Sequence, residues 1–389
     1  MSEYQYYEFQ ALDRPLTREQ MAELRAVSSR AKITAYNFVN EYNWGSFKGS
    51  PDHWMERYFD AFLYFANWGS RRFMLRLPTK LLDTKTAQAY CGRESLSRWQ
   101  NNGHTILSFD AETEGYELAE NEGSWLASLV PIRADLMRGD YRALYLGWLL
   151  AVQCRELDED DLEPPVPRGL GHLSGALECL ADFLGMDFDL IAAAAELSVN
   201  EQLPVPSGNR IDEWVRGLPT TEKDAIVRRL VGGDDLHLGV EIRRRAILAI
   251  GGKGQADERP PRTVGELLMR AETIAAERKK KEAEKRAREK AERERKESEA
   301  RRKWLKSLAG KENHLWSNIE KLIATKQPRR YDEAVSTLQD LRDLAQLKGR
   351  IAEFKSRINA LQQAHSAKGT LIERFCKAGL LEHKRGEVS

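Results

Sequence analysis

Two acids two residues apart, Asp110 and Glu112, end the apolar run HTILSFD. Paired carboxylates at a strand end are what a metal-dependent nuclease uses to hold its cation. Asp83 and Glu114 complete the candidate acids of this stretch, but no downstream lysine stands in nuclease spacing. A lone acidic pair at a strand end is more often a solvated turn. His53 and His104 have no serine or cysteine beside them in a nucleophile setting. Cys91 precedes Gly92 and stands thirteen residues before His104, a position that helix-end cysteines share. Neither phosphate-cradling fingerprint occurs: there is no GxxxxGK followed by Ser or Thr, and no GxGxxG after a strand. Gly251-Gly252-Lys253-Gly254 has the composition without the spacing, and reads as a flexible break. Cys91, Cys154, Cys179 and Cys376 are scattered without a CxxC or Cys/His cluster, so no structural zinc, disulfide framework or cofactor is called for.

Recognition chemistry is better represented. Trp44 and Trp68 each end an apolar strand beside a glycine, and with Arg71 and Arg72 they could flank a cleft that stacks bases or grips a peptide. The bland alternative is that the aromatics between Trp44 and Phe73 form a sheet-on-helix core. Arg243, Arg244 and Arg245, with Arg228 and Arg229, could form a basic patch, and Lys279, Lys280 and Lys281 open a long basic run.

These residues need elements to hold them. Residues 1–155 read as an α+β domain, a mostly antiparallel sheet covered by helices. Its strands are expected over Tyr4–Leu12, 31–44, a hairpin around Trp68-Gly69-Ser70, and His104–Asp110. Thr17 and Gln20 make a capping-box pattern before a helix carrying Met21, Leu24 and Val27. Residues 156–163, ELDEDDLE, and the prolines after them mark a boundary. A small helical domain is expected over 156–250, with Ile211, Trp214, Leu218, Ile226 and Leu230 in its core. A flexible linker follows over 251–262, then a long charged helix over 263–308, then a helical hairpin or bundle over 309–389. In that tail Ala334, Val335, Leu338, Leu341, Leu344 and Ala345 recur at heptad-like spacing.

The run ERKKKEAEKRAREKAERERKESEARRK, residues 277–303, holds 14 Lys/Arg and 8 Glu, a net charge of +6 within a chain whose net charge is +1. Seven of the glutamates have a base four residues on, from Glu277–Lys281 to Glu299–Lys303, with Glu294 left over. Each such pair supports a helix by roughly 0.2–0.5 kcal/mol. Ala283, Ala287, Ala291, Ser298 and Ala300 are too thin a seam for a two-stranded coiled coil. The expectation is a solvated single α-helix, on the order of 65 Å from Val264 to Leu308 at 1.5 Å per residue. The competing expectation is a basic arm on phosphates.

The segments YYEFQALDRPLT, FVNEYNWGSFKG and YFDAFLYFANWGSRRFMLRLP resemble those of a group of uncharacterised bacterial proteins, a resemblance that implies no activity. YDEAVSTLQDLRDLA with TLIERFCKAGL is similar to tails of bacterial SWIM zinc-finger proteins. The zinc-binding Cys/His pattern is absent here, so metal binding does not carry over. With no basic n-region or apolar h-region and no long apolar stretch, the chain is expected to be soluble and cytoplasmic, without a membrane partner. The leading expectation is a non-enzymatic interaction or adaptor protein with a protein partner, its charged helix spacing a recognition domain from a docking unit. A nucleic-acid-associated accessory factor is the alternative, and a metal-dependent hydrolase the second alternative.

Overall fold

In the computed structural model the described residues are 4–82, 84–112, 125–199, 208–233, 235–250 and 261–381. Asp83, Glu114 and the linker 251–260 lie outside them. The chain divides into two compact units, Met1–Lys279 and Lys280–Ser389.

The first unit opens with β1 (Gln5–Gln10), α1 (Arg18–Val27), β2 (Lys32–Ile33), β3 (Asn37–Tyr42), α2 (Pro51–Arg57), β4 (Ala61–Ala66) and β5 (Ser70–Pro78). It continues with α3 (Thr84–Tyr90), β6 (Leu96–Asn101) and β7 (His104–Glu112). The seven strands form one sheet in the order β2-β3-β1-β4-β5-β7-β6, and every neighbouring pair is antiparallel. The α+β class read from the sequence is therefore the observed one. The capping box forms as its spacing predicts: the Thr17 hydroxyl accepts from the Gln20 N–H at 3.2 Å, and the Gln20 side chain accepts from the Thr17 N–H at 2.9 Å.

Two details differ from expectation. The strand expected over 31–44 is broken, because the Thr34 hydroxyl accepts from the N–H groups of Tyr36 and Asn37 and folds the chain into a turn. The strand β6 was not expected, since LSRWQN has too little apolar alternation for a half-buried strand. Its hairpin signal was present, however: Asn102 and Gly103 both take positive φ, 47° and 75°, the two-residue turn that Asn-Gly favours.

Strand alternation gives the sheet two faces. On one, α1 and α2 cover a core containing Phe9, Phe38, Trp54, Met55, Phe59 and Phe62. On the other lies the main core, built from Leu63, Phe73, Leu75, Leu107 and Phe109 with the helices that follow. These are α4 (Trp125–Leu129), α5 (Pro131–Met137), α6 (Arg142–Gln153), α7 (Gly175–Leu184) and α8 (Phe188–Ala195). Helix α6 is buried from Ala143 to Val152. It approaches the sheet closely because Gly147 has no Cβ; one built there would stand 2.7 Å from Leu96 and 3.0 Å from Phe109. Leu177, Phe183 and Ile191 join the same core. Residues 156–195 thus belong to the sheet's own body rather than to a separate helical domain. Three further helices complete this region: α9 (Gly208–Gly217), α10 (Thr220–Gly232) and α11 (Leu238–Ile250).

The long helix is α12 (Val264–Ser307). Its start is not a free spacer. Val264 and Leu267 are buried in the main core, and Ala271 beside them. Thr263 and Glu266 cap it reciprocally at 3.0 and 3.2 Å, while Arg270 and Arg278 pair with Glu196 at 2.6 Å and Asp189 at 2.8 Å. The acidic segment is what receives this start. Carbonyls of Asp161 and Glu159 accept from the N–H groups of Val264 and Gly265, both at 2.9 Å. Glu163 grips Arg262 with two bonds of 2.9 Å. A segment that reads as a linker therefore closes the end of a helix that begins a hundred residues later.

Every residue from 276 to 304 is exposed, as the solvated-helix reading expects. Glu292–Lys296 forms in the predicted order at 2.8 Å. Four pairs run base first instead, among them Lys290–Glu294 at 3.9 Å and Arg293–Glu297 at 2.8 Å. Exposed pairs are worth only a few tenths of a kcal/mol, so little separates an i−4 partner from an i+4 one.

In the second unit, α13 (Glu312–Ala324), α14 (Pro328–Leu347), α15 (Ile351–Ala364) and α16 (Gly369–Lys377) enclose a core. Ile319, Ile323, Ala334, Leu338 and Leu371 are at its centre, and Phe375 closes it. Arg301 ties the end of α12 to this unit through Asp340 and Asp343, at 2.6 and 2.9 Å. Among the described residues no helix is long and apolar enough to cross a membrane.

Candidate recognition surface

The residues singled out from the sequence disperse over the first unit. Tyr42, Gln5 and Ala66 stand opposite one another in register. Trp44 and Trp68, each two residues further on, therefore lie at the same end of the sheet; they are 72% and 47% exposed. The Trp68 indole donates to Ser70 Oγ at 2.9 Å, and that hydroxyl donates to Glu112 at 2.9 Å. Arg72, on the same sheet face as Ser70, bridges Asp52 at 2.8 Å and Asp110 at 3.0 Å. Arg71 does not join them. Strand alternation turns it to the opposite face, where it is 3% exposed and donates to the Phe183 carbonyl at 2.6 Å. It is a structural cation beneath the sheet, not part of a recognition cleft.

The paired acids do share a face, two residues apart on β7. Burial raises the Asp110 carboxyl above its ordinary range, with Arg72 and the Ser108 hydroxyl opposing that shift. The guanidinium of Arg72 fills the space between Asp52 and Asp110 with a positive charge of the protein's own. Among the described residues no group of three His, Cys, Asp or Glu side chains is placed to hold a metal ion. Burial also pushes the Cys91 thiol up to about 12, the wrong direction for a nucleophile.

Three arginines of the expected basic patch, Arg229, Arg244 and Arg245, are engaged by partners of the chain's own. Arg244 donates to the Leu81 carbonyl and, at 2.9 Å, to the Tyr141 hydroxyl. Arg245 pairs with Glu222, and Arg229 with Glu241 and Asp235. Lys279, Lys280 and Lys281 are exposed on α12, where glutamates alternate with the bases around the axis.

An ionic seam that the sequence does not announce holds α11 to the sheet body. His237 contacts Asp13 at 3.0 Å, Asp13 takes a two-pronged grip from Arg133 at 2.8 and 2.6 Å, and Lys80 bridges Asp235 and Glu241 at 2.9 and 3.1 Å. Arg229 and Lys80 together hold the Asp235 carboxyl down to about 2. Asp13 and His237 are 224 residues apart, so no local pattern could have paired them.

The seam positions an apolar groove. Ile211, Trp214 and Val215 of α9, Ile226 and Leu230 of α10, and Leu238, Ile242 and Ala246 of α11 line a half-open cavity of about 490 Å³. The expected core of this region does not close. Neither α9 nor α10 has a buried residue, and α11 has only Leu238 and Ala246. Leu230 is 69% exposed, and Val227 and Val231 beside it are 56% and 82% exposed. No protein-family model, curated protein or solved structure matches the chain.

Proposed function

We propose that the chain is a non-enzymatic interaction protein, and that a helix of a partner protein docks in the groove between α9, α10 and α11. The observation that carries this reading is the groove lining itself. Apolar residues at helical spacing on three helices face an open cavity instead of one another. The strip continues onto Val227 and Val231, outside the cavity. Apolar area removed from water stabilises association by about 25 cal/mol per Å², and three converging apolar ridges are the usual seat of an amphipathic helix. An extended strip beyond the cavity suits a macromolecule better than a small ligand, which would leave it wet. The second unit, joined through α12, then serves as a further docking body.

The test is a display library of helical peptides screened against the full chain, with Gly239→Leu as the counter-screen. Gly239 lines the groove, and nothing lies within 4 Å of a Cβ added to it. The Cβ of a leucine there meets no neighbour, and its side chain takes up space in the groove. The expected result is enrichment of peptides with apolar residues at i, i+3 and i+4 that lose binding to Gly239→Leu. No enrichment, or enrichment indifferent to Gly239→Leu, overturns the proposal. A nucleic-acid role would instead appear as DNA or RNA binding with a steep salt slope. The dispersed charges of α12 and the pairing of Arg229, Arg244 and Arg245 argue for a flat response.

A further inference from the structure

We infer that the docking helix is an acidic one, recognised through Arg243. This rests on the docking role proposed above and adds the chemistry of the partner. Of the described residues lining the groove, Arg243 alone is charged. Its neighbours in the arginine triplet are engaged, Arg244 with the Leu81 carbonyl and the Tyr141 hydroxyl, and Arg245 with Glu222. The nearby acids Asp235 and Glu241 are held by Arg229 and Lys80. Arg243 itself has no ion pair among the described residues. Among the described residues, the remaining exposed acids of this region, Asp212, Glu213 and Asp224, lie outside the groove lining.

The unspent charge at the apolar wall is thus positive. A lysine or arginine on an incoming helix would meet Arg243 as a like charge. A glutamate or aspartate flanking the apolar face would meet it as a two-pronged partner, the geometry in which guanidinium and carboxylate match best. As the docked helix covers the groove, water is displaced from the pair and the attraction strengthens.

The experiment uses the full chain and two labelled amphipathic peptides with identical leucine faces, one flanked by glutamates and one by lysines, followed by fluorescence anisotropy. The glutamate peptide is expected to bind about five- to tenfold more tightly, the size of one exposed pair gained against one like-charge contact. The preference should shrink as salt is raised. Arg243→Glu should reverse it in favour of the lysine peptide, with the circular dichroism spectrum unchanged because the side chain is exposed. Reversal separates recognition by this residue from a general loss of fold. Equal binding of both peptides, abolished by Gly239→Leu, overturns the inference while leaving the docking groove in place. Binding of neither peptide overturns both. Displacement of the glutamate peptide by dodecanoate at comparable affinity would assign the groove to a small amphipathic carboxylate and overturn the helix partner.

Discussion

Replacing Leu230 by serine separates an open groove from a closed core. Fully burying a leucine side chain contributes about 1.5–3 kcal/mol. Leu230 is 69% exposed, so only about a third of that, roughly 0.5–1 kcal/mol, is available to lose. Leu267 supplies the comparison within the same unit, since it is 0% exposed at the start of α12. Truncating it to alanine removes core contacts and leaves a cavity, which costs about 2.7–5 kcal/mol. Urea denaturation of the two variants, followed by tryptophan fluorescence, should show Leu267→Ala shifted strongly and Leu230→Ser nearly unshifted. A Leu230→Ser cost equal to that of Leu267→Ala would mean that the groove is filled by its own helices, as the sequence periodicity suggests. The docking proposal would then have no site.

Three further outcomes follow from the same geometry. Arg262→Met leaves Glu163, whose side chain is 2% exposed, without its cation; it should cost about 3–5 kcal/mol in the same denaturation assay, as removing one partner of a buried pair does. Cys91, with its thiol raised by burial to about 12, should resist iodoacetamide at pH 8 while the exposed Cys154 is alkylated, as peptide mass mapping will report. Because Asp235 titrates lower in the folded chain than in the unfolded one, its contribution is complete above the ordinary carboxylate pKa near 4. It is lost as pH falls toward the folded value of about 2. Amide protection factors in α11, taken against the intrinsic exchange rate at each pH, should therefore fall across that acid window and stay constant between pH 5 and 8.

Local chemistry was readable where neighbours in sequence are neighbours in space. The Thr17–Gln20 box, the β4–β5 hairpin, the solvated stretch of α12 and the apolar stripe of α14 all rest on contacts within a few residues. The Asn102-Gly103 turn was equally local, and its signal was available although β6 itself is too polar to announce a strand. The candidate site fared less well. Trp44 and Trp68 are exposed at one end of the sheet, but Arg71 could be assigned a face only once the phase of β5 against its neighbours was known. One residue of phase sends a strand side chain to the opposite side.

The sequence by itself determined the α+β class of the first unit, the helical character of the described residues after it, and a charged helix too poor in apolar residues to form a zipper. The tertiary structure decided what each polar residue is for. It turned the acidic segment into the receptor for the α12 N-terminus, assigned Asp13 to His237 and Arg133, and spent Arg229, Arg244 and Arg245 of the expected basic patch on carbonyl, hydroxyl and carboxylate partners. It also left open the groove that periodicity alone would close. The physical reason is common to all of these. Helix spacing states that a face is apolar, whereas only the placement of α9, α10 and α11 against the sheet body decides whether another face is present to cover it.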